Sequence, residues 1–210
     1  SLEEMWQLVE RVSDIARGAA LMTGTTMALR QVGGDANLVA NDVLESAMFE
    51  VISALGAPPF DESDETAAAA FTQTFSDQDV QAAAYRFGFG VIEGEWLSRR
   101  IFPLGAGSSF AVGSTDVGTV SWVAPTVQCR VACYAVGTPG HSWQLVAQGK
   151  LSAAHKGMIH AAKIMAETAV KLIEDPELLA DSKNEHAKRL DGQTFRNPIG
   201  PEADPMARHI

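Results

Sequence analysis

The sequence predicts an α/β fold in which helices outnumber strands. Several segments carry apolar residues three and four positions apart, which is the spacing of an amphipathic helix. Two shorter runs are rich in β-branched and apolar residues, which favours strands. These two runs lie far apart in the chain, so the successive strand–helix units of a Rossmann-type domain are not expected.

The first elements are a helix and a strand. A capping box of Ser1 and Glu4 starts the helix, and Gly24 can close it. Residues 25–32 form the predicted strand, and Gly33–Gly34 interrupts the chain after it. The buried stripe of the helix is expected to comprise Met5, Leu8, Val9, Val12, Ile15 and Ala19.

Two further helices are predicted from their ends. One is capped by Asn41 or Asp42 and stops at Gly56. The next starts in the acidic run Asp61–Glu65, where the helix dipole favours carboxylates, so this run indicates a helix N-terminus rather than a metal site. After it, residues 81–86 are expected to form a short helix.

The centre of the chain combines a loop, a strand and a turn. The loop 113–118 carries Asp116, residues 127–136 form the clearest strand, and a Gly-Pro turn carries His141. Loops at strand ends are where α/β proteins hold ligands and metals, so this arrangement predicts half of an active site. Cys129 and Cys133 would lie about 13 Å apart on that strand, too far for a disulfide, and are expected to be buried thiols.

The longest helix is predicted over residues 152–174. Another follows from Pro176 to about Leu190, and residues 191–210 form an extended tail. Among the histidines we expect His155 to be partly buried and His160 and His186 to be solvated. The buried stripe of the longest helix is expected to comprise Met158, Ala162, Met165, Ala169 and Leu172.

Composition narrows the classes of function. The 210 residues carry a net charge of −10, which disfavours nucleic acid as a partner because a phosphate backbone would be repelled. No run of about 18 apolar residues is present, so a membrane span is not expected. The chain starts at Ser1 without a recognisable leader, and we expect a cytoplasmic protein.

Three segments carry a resemblance to a known family. They are GAALMTGTT at 18–26, GSTDVGTVSWVAPT at 113–126 and GTPGHSWQLVAQGKLSAAHKGM at 137–158. Together they resemble the aminoacylase and glutamate-carboxypeptidase family of metallopeptidases. The resemblance implies a zinc-peptidase-like α/β catalytic domain interrupted by a lid domain that often dimerises. Residues 1–32 would end the lid, residues 33–190 would form the C-terminal part of the catalytic domain, and residues 191–210 would be the tail.

The resemblance also implies a site with two divalent ions, zinc or manganese. The family's N-terminal ligand motifs and its general-base glutamate have no counterpart here, so the chain resembles a C-terminal half. His141 matches the last metal-binding histidine. Ser114, Thr115 and Asp116 are the implied substrate-binding residues: Ser114, Thr115 and the backbone amides beside them would bind a substrate carboxylate, and Asp116 would orient a ligand or the loop itself. Asp116 is equally explained as a turn residue that caps its own backbone. No catalytic residue is assigned, and the isolated chain is expected to bind metal weakly or not at all.

The implied reaction is hydrolysis of an N-acyl or N-aroyl amino-acid amide such as aminobenzoyl-glutamate. The chain alone would be inactive, and its partner would be the missing N-terminal half or a second copy. An alternative of a different class is a non-catalytic assembly module, which would pair with a separate N-terminal half or dimerise through the exposed edge of the strand at 25–32.

Overall fold

The fold is helical in the part of the chain that the computed structural model describes. That part comprises residues 2–31, 33–87, 90, 92–105 and 115–199. It contains eight helices: α1 Leu2–Thr23, α2 Asp42–Leu55, α3 Glu62–Thr72, α4 Asp77–Phe87, α5 Val117–Ser121, α6 Trp143–Gln148, α7 Ser152–Glu174 and α8 Pro176–Leu190. Because no strand or sheet occurs among these residues, the predicted α/β fold is wrong.

Both predicted strands are irregular segments instead. A strand is stable only when a second strand pairs with its amides, and the described residues provide no such partner. Within 127–136 the amide of Ala135 donates to Gln148 Oε1 at 2.8 Å, and the amide of Val136 donates to the carbonyl of Trp96 at 2.9 Å. Residues 25–31 are exposed and irregular. Dimerisation through an edge strand at 25–32 therefore has no support in the described residues, while pairing of the assembly module with a separate N-terminal half stays a prediction.

The helix ends follow the signals in the sequence. Asn41 is fully buried and its Oδ1 accepts from the amide of Leu44 at 3.0 Å, which caps α2. Gly56 ends that helix with φ 74°, a conformation that favours glycine. Asp61 and Asp64 form a capping box at the start of α3. Ser1, predicted to cap α1, lies outside the described residues.

The buried face of α7 differs from the predicted one. It consists of Ala153, Gly157, His160, Ile164 and Thr168. Met158 and Met165, expected in the core, are 61% and 55% exposed. A Cβ at Gly157 would lie 2.3 Å from the carbonyl oxygen of Ala132, so the backbone of the 127–136 segment approaches α7 where the helix lacks a side chain.

The chain divides into two compact units. Unit 1 comprises Ser1–Ala40, Gly113–Thr126 and His186–Ile210; unit 2 comprises Asn41–Val112 and Val127–Glu185. The lid and catalytic boundaries predicted from the resemblance stay predictions. The core of unit 1 is formed by Leu2, Ala36 and Trp122, packed with Met5, Trp6, Val39, Leu190 and Phe195. The core of unit 2 is formed by Phe60, Ala68, Leu97, Ala135 and Ala153, packed with Phe71, Phe75, Trp96 and Ala132.

Helix α1 leaves its predicted apolar stripe largely exposed. Leu8, Val12 and Ile15 are each more than half exposed, and Leu2 and Ser13 are its buried residues. No helix in the described ranges is both long and apolar enough to cross a membrane.

Candidate functional site

The predicted site residues are divided between the two units. Thr115 and Asp116 belong to unit 1, and His141 belongs to unit 2. Ser114 lies outside the described residues. The two segments that carry these residues are therefore described separately.

His141 lies in a turn that holds two left-handed residues. Gly137 has φ 89°, and a Cβ there would lie 3.0 Å from Val80 Cγ2 on α4. His141 has φ 55°, an uncommon conformation for a residue with a side chain. Its side chain is exposed and has no hydrogen-bond or ion-pair partner among the described residues. The imidazole is thus presented on a turn whose backbone conformation is unusual.

Buried polar side chains hold the segment on both sides of this turn. Gln148 is 2% exposed, and its Nε2 donates to Thr138 Oγ1 at 2.9 Å and to the carbonyl of Gln144 at 3.2 Å. Its Oε1 accepts from the amide of Ala135, and Thr138 Oγ1 donates to the carbonyl of Ala135 at 2.7 Å. These bonds connect the start of the turn to the end of α6.

The residues directly after His141 start helix α6. Ser142 Oγ accepts from the amide of Leu145 at 3.1 Å and donates to the carbonyl of Pro139 at 2.7 Å. Ser142 therefore caps α6 and holds the backbone on the C-terminal side of His141. Trp143 packs against Phe71 with ring centroids 6.4 Å apart, yet it remains 62% exposed. The exposed ring of Trp143 is consequently only two residues from His141 in the sequence.

The second segment begins with an exposed acid at the start of α5. The Asp116 carboxylate makes no bond that caps α5; its Oδ1 accepts from Thr115 Oγ1 at 3.4 Å. Both side chains are exposed. The interpretation of Asp116 as an acid that caps its own helix therefore receives no support from this geometry.

The rest of the GSTDVGTVSW motif anchors α5 to residues 36–39. A Cβ at Gly118 would lie 1.9 Å from the carbonyl oxygen of Ala36, so only glycine permits this approach. Ser121 Oγ accepts from the amide of Val39 at 2.8 Å, and Trp122 Nε1 donates to the carbonyl of Asn37 at 2.9 Å. The motif is thus mainly structural, apart from Thr115 and Asp116.

Two buried histidines were not expected from the sequence. His160 Nε2 donates to the carbonyl of Gly56 at 2.9 Å, and His186 Nε2 donates to the carbonyl of Ser121 at 2.7 Å. Both are less than a tenth exposed, whereas His155 is exposed, so the predicted exposures of all three were wrong. Sequence analysis also missed the structural role of Gln144 and Gln148, although their spacing of four residues places them on one face of a helix.

The acidic start of α3 is neutralised by a lysine. Lys156 Nζ lies 2.6 Å from Asp61 Oδ2 and 2.5 Å from Asp64 Oδ2. Its ammonium and the Ser63 hydroxyl hold the pKa of Asp61 well below the usual 3.8, and Asp61 raises the pKa of Lys156 above 10.5. Burial alone would raise the pKa of Asp64, but the bonds from Lys156 and the Asp61 amide outweigh it and lower that pKa. These carboxylates start α3 and bind a lysine of α7, in agreement with the helix N-terminus that the acidic run predicts.

The adjacent arginines Arg99 and Arg100 bind groups of the chain itself. Arg99 pairs with Glu65 at 3.0 Å and donates to the carbonyl of Phe60 at 2.8 Å. Arg100 pairs with Glu95 at 2.7 Å. Across the described ranges no group of three or more His, Cys, Asp or Glu could hold a metal ion. The role of His141 as a metal ligand stays a prediction from the resemblance.

Comparison with known proteins gives one strong similarity. The chain is 36% identical over 214 residues to a subunit of p-aminobenzoyl-glutamate hydrolase from Escherichia coli (strain K12). This match covers 97% of the chain but 44% of that protein, so the chain spans less than half the length of its relative. The resemblance predicted from the three motifs is confirmed, and the coverage is consistent with half of an amidohydrolase. No protein-family profile and no solved structure matches the chain.

Proposed function

We infer that this chain is the C-terminal part of a metal-dependent amidohydrolase that cleaves N-acyl or N-aroyl amino-acid amides. The observation that carries the inference is the 36% identity over 97% of the chain to a protein whose name makes it a subunit of p-aminobenzoyl-glutamate hydrolase. That name makes p-aminobenzoyl-glutamate the first substrate to test. Because similarity of fold does not by itself establish a reaction, the individual side chains must also be compatible with it.

His141 is the residue through which this chain would reach a metal ion. A neutral imidazole is a common zinc ligand, and the ring of His141 has no competing partner among the described residues. Hydrogen bonds at Ala135, Thr138 and Ser142 hold the backbone around it, which limits the reorganisation needed for binding. The other ligands would come from polypeptide outside the described residues. A divalent ion bound there would supply an acidified water and polarise the scissile carbonyl.

Substrate contacts would come from the 114–116 segment and from Trp143. The hydroxyl of Thr115 can donate to a substrate carboxylate, whereas the negative Asp116 is better suited to orient that hydroxyl or a nearby donor. Ser114 stays a prediction from the resemblance. The exposed ring of Trp143 offers an apolar face to an aromatic acyl group such as aminobenzoyl.

A chimera tests this function. The matching part of the E. coli relative is replaced by this chain, and release of p-aminobenzoate from p-aminobenzoyl-glutamate is measured. We expect hydrolysis by the chimera, a loss of about 100-fold or more with His141→Ala, and a change of less than about twofold with Lys150→Ala, an exposed control. A folded chimera without hydrolysis, or one indifferent to His141→Ala, would falsify the inference.

Metal content gives a second measurement on the chain itself. After dialysis against zinc and manganese, the isolated 210-residue chain should retain no stoichiometric ion, because one imidazole does not form a closed site. The chimera should retain metal, and its His141→Ala variant should retain less. Stoichiometric metal on the isolated chain would show that His141 finds partners without the rest of an enzyme.

A further inference from the structure

Helix α7 carries two faces of opposite character. The face that packs within unit 2 is small or polar except for Ile164: Ala153, Gly157, His160, Ile164 and Thr168. The large apolar side chains of the helix lie elsewhere and are exposed: Met158 61%, Ile159 53%, Met165 55%, Val170 45% and Ile173 77%. The helix thus buries its less apolar side and exposes its more apolar side.

The exposed apolar residues form one continuous surface. At 100° per residue, one stripe about 140° wide contains positions 158, 159, 162, 165, 169, 170 and 173, and its centre lies roughly opposite the centre of the buried face. Ala162 and Ala169 lie within this stripe and are exposed as well. Charged side chains at Lys163 and Glu167 lie along its border. A continuous apolar stripe along a helix is typical of a face that packs against other protein.

We propose that this apolar face of α7 is the docking surface for the polypeptide that corresponds to the unmatched part of the E. coli relative. More than half of that relative has no counterpart in this chain, so a large body of protein remains to be placed. A flat apolar layer on that polypeptide would match the stripe of methionine, isoleucine, valine and alanine side chains. The proposal rests on the partial coverage and on α7, and not on any role of His141.

The size of the face argues against a second copy of this chain as the occupant. A helix of 23 residues is about 35 Å long and about 10 Å wide, so one side offers about 350 Å². Stable association of separate proteins buries about 800 Å² on each partner. The α7 face supplies less than half of this area, which is sufficient as one contact within a larger enzyme but not as a dimer interface.

Co-expression tests the proposal. The unmatched part of the E. coli relative carries an affinity tag and is produced together with the 210-residue chain. Ala162→Glu places a charge in the centre of the face, and Lys163→Glu introduces the same residue one position away, on the charged border. We expect the wild-type chain and the Lys163→Glu variant each to co-purify with the tagged polypeptide in a 1:1 ratio. The amount of co-purified chain should fall at least tenfold with Ala162→Glu.

Three outcomes of co-purification and sedimentation would overturn it. The wild-type chain fails to co-purify, or Ala162→Glu co-purifies equally well, or Ala162→Glu converts a dimer of the isolated chain to a monomer in sedimentation, which would make a second copy the occupant. Thermal unfolding of the isolated Ala162→Glu chain checks the premise, because an exposed alanine should tolerate glutamate without a change in Tm. A lowered Tm would mean that position 162 is already covered, and the proposal would fail. None of these measurements depends on hydrolysis.

Discussion

Replacement of Gln148 by leucine tests whether buried hydrogen bonds hold the turn that carries His141. Leucine has a similar volume and suits a helix, so the main change is the loss of the carboxamide. Gln148 is 2% exposed and makes three bonds, to the Ala135 amide, to Thr138 Oγ1 and to the Gln144 carbonyl. Gln144→Leu is the matched control on the same helix, because the side chain of Gln144 makes one long bond of 3.4 Å to the carbonyl of Thr74.

The expected loss of stability depends on which hydrogen bonds Ala135 and Thr138 keep when the carboxamide of Gln148 is removed. Ala135 is 1% exposed, so its amide would be buried without an acceptor, which costs about 1–3 kcal/mol. Thr138 Oγ1 still donates to the carbonyl of Ala135, and the loss of its own donor costs about 1 kcal/mol. Apolar burial of the new leucine offsets part of this. We expect Gln148→Leu to lower the free energy of unfolding by about 2–4 kcal/mol, and Gln144→Leu by about 1 kcal/mol or less.

Urea denaturation followed by circular dichroism measures both variants. The midpoint should fall with little change in the slope, because the surface exposed on unfolding is nearly the same. Hydrogen exchange locates the effect: the amide of Ala135 should lose protection in Gln148→Leu and keep it in Gln144→Leu. The reasoning would be refuted by equal stabilities of the two variants, or by an Ala135 amide that stays protected without Gln148.

Three further predictions concern single contacts. Gly118→Ala should lower Tm, because the added Cβ would meet the carbonyl of Ala36. Gly18→Ala in α1 has open space around the added Cβ and should raise the free energy of unfolding by about 0.5–1 kcal/mol. Equal changes in Tm for the two variants would contradict this. The pKa of Asp61 is lower in the folded chain than in the unfolded chain, so the ionised carboxylate stabilises the fold above pH 3.8, and this stability is lost as the pH falls towards the pKa of the folded state. Between about pH 5 and pH 2, the Tm of Asp61→Asn should therefore fall less steeply than the Tm of the wild-type chain. An unchanged slope would argue against the pair with Lys156. Partial burial raises the pKa of the Cys133 thiol, so little of it is ionised at about pH 8 and iodoacetamide should label it slowly. Labelling should become faster when urea unfolds the chain. Rapid labelling of the native chain would contradict this.

Elements with local signals were predicted from the sequence. The Asn41 cap, the glycine stop at Gly56 and the acidic start of α3 each depend on contacts within a few residues. The strand at 127–136 depends on a partner strand elsewhere, and an apolar β-branched run carries no information about whether that partner exists. The short helices α5 and α6 were missed because five or six residues show too little periodicity to be recognised.

The face of α7 was misassigned for a different physical reason. A hydrophobic stripe predicts burial, and Met158 and Met165 satisfy that pattern. What decides the packing in this chain is the close approach of the 127–136 backbone at Gly157, since a Cβ there would also lie 2.7 Å from Cys133 Sγ. Small residues permit backbones to approach closely, and this preference is not visible in an apolar pattern. The sequence therefore predicted the helix, while its orientation required the structure.

Two of the three motifs that carry the resemblance, 113–126 and 137–158, are held in place in the same way. In each, most polar side chains are occupied by backbone groups: Ser121 and Trp122 bind residues 37–39, and Thr138 and Gln148 bind the segment before the His141 turn. The exposed side chains include Thr115 and Asp116 in one motif and His141 and Trp143 in the other. In each motif, some side chains hold the backbone in place, and other side chains are exposed to a ligand. If His141 binds metal, loss of an anchor such as Gln148 should weaken metal binding by misplacing the imidazole, and loss of His141 should do so without lowering the stability of the turn.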